Sequence, residues 1–167
     1  MSIGYEARPG GGLGFIDYNS TDAAFSVASD TWTTVENNGL GASTNKTYTL
    51  PSAPEVMDSQ GRIIFDNLSL GDSLVVRTDI SVTPTVNGAA IDYRWQLGTG
   101  GGLYTLPSFL GTLANGAGVA VRFLFMSYIY AGDSNTYDNP VELQIHSSEA
   151  CTVNNSGSAI QILQKGN

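Results

Sequence analysis

Short stretches of alternating apolar and polar residues, separated by turn-forming clusters, run along the chain from Ala23 onward. The clearest spans Leu74 to Val82. Every second residue from Leu74 is apolar except for one threonine, and the residues between them, which form the other parity, are mostly polar. A period of two places one face of a strand on a core and the other in water. Similar stretches at 90–97, 141–146 and 159–164 predict further short strands, so the pattern is typical of an antiparallel β protein.

The segment from Gly118 to Tyr130 differs, because both of its parities are apolar. In a small antiparallel fold one sheet face covers the core while the other usually meets solvent. Leaving the second face in water would forgo roughly 25 cal/mol for each Å² of apolar surface. We therefore expect a neighbouring subunit to cover it, and we predict an interface that contains Phe123, Phe125, Tyr128 and Tyr130.

The first 22 residues have a different character from the rest. Arg8 to Gly14 combines a proline with a run of glycines, which suits neither a helix nor a central strand. We interpret residues 1–22 as an extended arm that packs on another surface, and residues 23–167 as one β-sandwich domain. A terminus that orders only locally is the alternative. The predicted contacts of the arm are Tyr5, Arg8, Leu13, Phe15 and Ile16.

Composition supports the all-β assignment. The 167 residues include 20 glycines, 41% are hydrophobic, and only 13% are charged, against about 25% in ordinary proteins. Glycine-rich turns around β-branched and aromatic stretches favour strands over helices. We predict an antiparallel two-sheet jelly-roll sandwich.

The charge balance excludes several partners. A net charge of −8 with seven basic residues argues against nucleic acid, which requires clustered cations. No apolar run approaches the ~20 residues of a membrane span. The N-terminus lacks the basic-then-apolar pattern of a signal peptide, so we expect synthesis in a cytoplasm.

Catalytic chemistry has little support in the sequence. The chain has one histidine, His146, predicted to point outward from its strand, and one cysteine, Cys151, predicted to be a packed thiol. The glycine-rich segment 98–102 has no following helix that would hold a phosphate, so we predict a turn. Asp79 and Glu142 lack the aromatic neighbours of a sugar cleft, although paired carboxylates serve glycoside hydrolysis. We predict no catalytic residue and no enzymatic activity.

Two features raise the question of a bound ligand. Trp32 and Trp95 are candidate ligand contacts, because indole rings stack on sugars, while core or interface anchoring is the alternative. Asp133–Asn139 supplies oxygen atoms that Ca²⁺ accepts. This segment lacks the central glycine and the closing glutamate of a calcium loop, so we predict an ordinary polar loop, no metal and no cofactor.

Three elements together resemble a known family. They are Leu68–Arg77 with its Leu-x-x-Gly-Asp entry into a strand, the aromatic strand Val119–Tyr130, and the short terminal strand Ile160–Leu163. In this order they look like the trimeric jelly rolls of tumour-necrosis-factor-like and complement-like heads. An acidic, cysteine-poor version with a Gly/Pro arm is similar to virion structural proteins of tailed bacteriophages, namely capsid decoration (cement) proteins and fibre tips.

The resemblance implies a non-enzymatic homotrimer whose arm docks on a shell of major capsid protein. It further implies a location on the capsid surface of a virion, after synthesis in the host cytoplasm. The alternative is the receptor- or carbohydrate-binding tip of a phage fibre. In that case Trp32, Trp95 and the loops Gly39–Lys46 and Asp133–Asn139 would contact a host glycan.

Overall fold

A computed structural model describes residues 14–36, 43–46, 55–66 and 68–164. Within these ranges two antiparallel sheets of four strands each form the fold, together with a 3₁₀ turn at Gly100–Gly102 and a single helical turn, α1 (Ser134–Tyr137). The strands are β1 (Gly14–Val27), β2 (Thr33–Thr34), β3 (Ser73–Pro84), β4 (Ala89–Leu97), β5 (Tyr104–Leu113), β6 (Val121–Tyr130), β7 (Glu142–Ser147) and β8 (Cys151–Leu163).

The strand order is that of a jelly roll. Sheet A has the order β1-β8-β3-β6, and sheet B has the order β2-β7-β4-β5. The chain passes to the other sheet at every connection except the one from β4 to β5, which forms a hairpin within sheet B. The apolar inner faces of the two sheets pack together, as a sandwich requires. The predicted all-β jelly-roll fold is confirmed.

Strand β3 follows the alternation that its sequence predicts. Leu74, Val76 and Val82 are fully buried, while Arg77 is exposed on the outer face. The strand pairs with β8 on one side and with β6 on the other, so its register fixes the faces of both neighbours. The Asn-Gly signal after it is a turn, in which Gly88 has a φ of +85°, a conformation that glycine adopts without strain.

Strand β1 begins before the predicted domain boundary at residue 22. It pairs with β8 from Gly14, opposite Ile162, to Val27, opposite Cys151, with an irregularity between residues 19 and 23. Residues 14–22 therefore lie in the sandwich, which corrects the predicted boundary. The remainder of the predicted arm, residues 1–13, lies outside the described residues.

A hydrogen-bonded carboxylate fastens two further segments to β1. The buried Tyr18 hydroxyl donates to Glu55 Oε2 at 2.8 Å and accepts from the Val56 amide at 3.0 Å. Ser43 donates to the same carboxylate through its amide and its hydroxyl, and Lys46 Nζ lies 2.6 Å from Glu55 Oε1. Burial works against the charged form of Glu55, but these hydrogen bonds outweigh it and lower its pKa. Glu55 thus joins residues 43–46 and 55–56 to the sheet.

Several predicted strands are shorter than expected or lie elsewhere. Thr31–Val35 is reduced to the two residues of β2. Around Arg62–Phe65 the pairing consists of isolated bridges from Ile63 to Met57 and Val141. The predicted strand at 47–50 lies outside the described residues.

Candidate functional site

Strand β6 is the last strand of sheet A, and its two faces have different surroundings. On the inner face Phe125 is 8% exposed and Ile129 is fully buried, and Phe123 is partly buried against the core. Pairing with β3 sets this orientation, because Phe125 lies opposite Thr78, which faces the core. Phe125 therefore belongs to the interior of its own chain, which corrects its assignment to a subunit interface, whereas Phe123 packs against the core and also lines an open pocket.

The outer face of β6 carries a continuous row of exposed apolar side chains. We call this row the outer strip, and its members occupy four successive outward positions. Their exposed fractions run from one half to nearly two thirds: Leu124 60%, Met126 64%, Tyr128 58% and Tyr130 50%. Tyr128 and Tyr130, two of the predicted interface residues, are thus exposed at the surface of the single chain.

The flank of the outer strip is slightly cationic. Arg77 donates to both oxygens of Asp79, with Nη2 to Oδ2 at 2.8 Å and Nε to Oδ1 at 3.2 Å. Arg122 is exposed beside this pair and has no ion-pair partner among the described residues. The three side chains and Leu124 line an open pocket of about 560 Å³. Although the chain has a net charge of −8, the charged side chains beside the outer strip therefore include no excess of carboxylates.

A groove adjoins the outer strip, between the free edges of β5 and β6. It has a volume of about 430 Å³, and we call it the edge groove. Tyr104 and Leu106 of β5 lie opposite Leu97 and Trp95 in the β4–β5 hairpin, so their side chains face the other sheet. Tyr104 is nevertheless 60% exposed, because the sandwich is open along this side. The other apolar lining residues are Leu97, Tyr128 and Tyr130, with Asp133 and Thr136 at the polar end.

Gly132 positions the last tyrosine of the strip. A Cβ atom at Gly132 would collide with the ring and hydroxyl of Tyr130. The Tyr130 ring therefore lies directly against the backbone at residue 132, a close approach that only glycine permits.

The two tryptophans have different environments. Trp95 is 2% exposed and lies in the core, so its assignment as a ligand contact is corrected. Trp32 is partly exposed on the outer face of sheet B. The Arg94 guanidinium lies 4.2 Å from the centroid of the indole, and the His146 ring centroid is 5.1 Å away. Arg94 Nε also donates to Gln144 Oε1 at 2.8 Å, so the cation beside Trp32 is held in place.

The histidine and the cysteine do not lie together. His146 projects from the outer face of β7, as predicted, with Nδ1 3.5 Å from Asp92 Oδ2 and Nε2 3.9 Å from Asp30 Oδ1. Cys151 is 4% exposed, and burial raises the pKa of its thiol, which lowers its thiolate fraction. The prediction of a packed thiol is confirmed.

Internal contacts occupy several polar atoms of the candidate calcium segment, on Asp133, Asn135 and Asn139. Asp133 Oδ1 accepts from the Thr136 amide at 2.8 Å and caps α1. Asn135 bonds both backbone atoms of Thr99, and Asn139 Nδ2 donates to the Asn135 carbonyl at 2.7 Å. Across the described ranges, no three His, Cys, Asp or Glu side chains are grouped to hold a metal ion. Through Asn135, the segment is hydrogen-bonded to the glycine-rich turn at residues 98–102.

The predicted arm contacts fall into two groups. Tyr5, Arg8 and Leu13 lie outside the described residues. Ile16 is fully buried in sheet A, which corrects its assignment to a docking surface. Phe15 lies in β1 opposite Gln161 and is partly exposed.

Sequence reasoning missed the surface residues of β5. In the ten-residue strand β5, Tyr104 precedes Pro107 and Phe109 follows it. Tyr104 is 60% exposed and Phe109 is 61% exposed. Proline is uncommon inside a strand, but an edge strand tolerates it because one side of its backbone needs no partner. The apolar residues after Pro107 were the available signal.

No protein-family model and no curated protein matches the chain. Among solved structures, Eiger TNF from S. frugiperda aligns with 11% identity and a TM-score of 0.46, over 95% of this chain and 94% of that one. Infectious bursal disease virus, Gt strain, aligns with 15% identity and a TM-score of 0.45; the alignment spans this chain entirely but 38% of the viral chain. The PRD1 vertex protein P5 aligns with 14% identity and a TM-score of 0.38, over 97% of this chain and 76% of that one.

Within the described part of the chain, no helix has the length and apolar character needed to cross a bilayer.

Proposed function

We propose that this chain is a non-enzymatic structural protein of a virion, which assembles as a homotrimer and decorates a capsid. The observation that carries the proposal is the outer strip. A fully exposed aromatic side chain presents roughly 150–250 Å², so these four side chains leave on the order of 400 Å² of apolar surface in water. A patch of this size is comparable to the largest apolar patch of a typical monomer, which is often functional.

The free edge of β6 supports the same conclusion. β6 has ten residues and ends the order of sheet A; it contains no proline or lysine, and its one charged residue is Arg122 near its start. Proteins usually protect a long, regular edge strand with such residues or with a bulge, because its unpaired backbone groups recruit other chains. A neighbouring subunit would cover both this edge and the outer strip.

The placement of the two apolar surfaces is compatible with the proposed trimer. The outer strip lies on the outer face of sheet A, and the edge groove adjoins it at Tyr128 and Tyr130 and opens between the edges of β5 and β6. If the strip of one copy packs on the groove of the next, the contact is head to tail, and it closes into a ring when its rotation permits. The resemblance to trimeric jelly rolls supports a ring of three, with Tyr128 and Tyr130 in the contact.

The decorating role would be mechanical. A trimer that binds several major capsid protein subunits stabilises the assembled shell relative to the disassembled one, by the linkage between binding and stability. In this proposal Tyr5, Arg8 and Leu13 reach the shell from the segment that precedes β1. The protein would then reside on the capsid surface after synthesis in the host cytoplasm.

Charge substitution in the outer strip tests self-association. Met126→Glu places a carboxylate at the centre of the strip, opposite Arg77 on β3, so the isolated chain gains a favourable neighbour and stays folded. We expect a chain mass near 17.6 kDa for this variant in light scattering, and a larger mass for the unaltered chain. Val86→Glu is the matched control, because Val86 is 42% exposed but lies in the β3–β4 turn. Equal masses for Met126→Glu and the unaltered chain would contradict the proposal.

Binding to purified shells tests the decorating role. The full chain should co-sediment with shells at a fixed stoichiometry, whereas a chain that begins at Gly14 retains β1 and should lose most of this binding. Circular dichroism and light scattering of the shortened chain serve as controls for its fold and its assembly. A trimer that does not co-sediment with shells would contradict the decorating role. This result would leave the proposal of self-association unaffected.

A further inference from the structure

An aromatic and polar row crosses the outer face of sheet B, on the opposite side of the sandwich from the outer strip. His146 of β7 pairs with Asp92 of β4, and Asp92 pairs with Phe109 of β5. Trp32 directly precedes β2 and lies beside His146. We call these four residues the aromatic–polar row.

The two ends of the row are aromatic and accessible. Asp92 lies between the core residues Ile91 and Tyr93, so Asp92 and its partner Phe109 both face outward. Phe109 is 61% exposed, and Trp32 is partly exposed. Three strand spacings separate β2 from β5, a distance of about 14 Å. Two separated rings on one flat face can contact successive rings of an extended ligand.

Polar groups with planar geometry fill the space between the rings. Besides Asp92 and His146, Arg94 and Gln144 lie on the same face and are joined by a 2.8 Å hydrogen bond. Arg94 also lies over the Trp32 ring. Carboxylate, guanidinium and amide groups offer donors and acceptors in fixed planes, which suits a ligand with many hydroxyl groups.

Charge selects the class of ligand. The row has the carboxylates of Asp92 and Asp30 beside it, against one permanent cation, Arg94. An acidic sugar, a phosphate or a nucleic acid would meet net negative charge here, in a chain whose total is already −8. An uncharged polyhydroxylated ligand avoids this repulsion and still stacks on the rings.

We propose that the aromatic–polar row binds an extended neutral oligosaccharide. This site goes beyond the structural role, because it lies on sheet B and uses none of the residues assigned to self-association. A trimer would present three such sites. Its affinity for a glycan-covered surface would then exceed the affinity of a single site.

The test begins with an array of neutral and sialylated oligosaccharides that includes maltohexaose, cellohexaose, chitohexaose and sialyllactose. We expect binding to at least one neutral hexasaccharide and none to sialyllactose. Calorimetric titration with that free hexasaccharide then gives the affinity per chain, which does not depend on assembly. Absence of binding across the array, or preference for sialyllactose, would overturn the proposal.

Variants identify the row as the site. Trp32→Ala and Phe109→Ala should each weaken binding roughly tenfold or more, as truncation of a buried aromatic anchor does. Trp32→Phe keeps an aromatic ring and should retain most of the affinity, which separates a lost contact from a lost fold. Tyr104→Ala is the matched control, because Tyr104 is equally exposed on β5 but lines the edge groove. Unchanged affinity in Trp32→Ala would overturn the assignment and leave the proposed trimer unaffected.

Discussion

Tyr93 and Phe125 stack across the sandwich, with ring centroids 4.1 Å apart and an interplanar angle of 25°. Tyr93 belongs to β4 of sheet B and Phe125 to β6 of sheet A, so this contact joins the two sheets. It also fixes which face of β6 points inward. The inner face stabilises the single chain, and the outer face is available to a neighbour.

Substitutions on the two faces of β6 should therefore have different effects. In the Met126→Glu background, Phe125→Ala should lower the free energy of unfolding by about 3–5 kcal/mol, the usual cost of removing a buried phenyl ring. Tyr128→Ala should change it by less than about 0.5 kcal/mol, because that ring is exposed in the single chain. Urea unfolding measures both. Similar losses for the two variants would contradict the assigned faces.

The Tyr18 hydroxyl should contribute measurably to stability. Tyr18→Phe removes the donor to Glu55 and the acceptor for the Val56 amide inside a buried site. We expect a loss of about 1–3 kcal/mol, the cost of leaving buried polar groups unpaired. Tyr104→Phe is the control, since its hydroxyl is on an exposed side chain. A thermal or urea unfolding series in which both variants match the unaltered chain would exclude this role.

Glu55 should make stability depend on pH in the acid range. The pKa of Glu55 is lower in the folded chain than in the unfolded chain. Its contribution to the free energy of unfolding is therefore complete above the unfolded pKa of about 4.3, and this contribution is lost as the pH falls through the folded pKa. The difference in unfolding free energy between the unaltered chain and Glu55→Gln should thus be largest near neutral pH and shrink toward pH 3. A difference that stays constant across this range would refute the assignment.

The glycine-rich turn should tolerate substitution at one position and not at another. Gly98 has a φ of +73°, and a Cβ there would collide with the Asn135 amide. Gly98→Ala should therefore cost at least about 1–2 kcal/mol. Gly101 has an open surrounding, so Gly101→Ala should stay within about 0.5 kcal/mol. Melting temperatures of the two variants test this directly, and equal values would mean that Asn135 does not dock on the turn.

The sequence predicted the sandwich and the unusual character of β6, because alternation is a local property. Leu74 and Val76 face the core as their parity indicates. The choice between the two apolar faces of β6 was not local, since the register with β3 decides it. The buried position of Trp95 was predictable in part, because it shares its parity with Ile91 and Leu97.

The strand β1 and the aromatic–polar row could not be found from the sequence. Residues 14–22 are rich in small and polar side chains, and they form a strand because β8 supplies partners. Trp32, Asp92 and Phe109 come from three separate segments, which only the strand order of sheet B brings into one row. Such juxtapositions depend on tertiary pairing.

The mass of the unaltered chain in solution tests the proposed trimer. Sedimentation equilibrium at micromolar concentration should give three times 17.6 kDa, because the outer strip and the edge of β6 would be covered by neighbouring copies. A mass of 17.6 kDa throughout the concentration range would mean that Met126 and Tyr128 remain in water on a single chain, and this result would contradict the account.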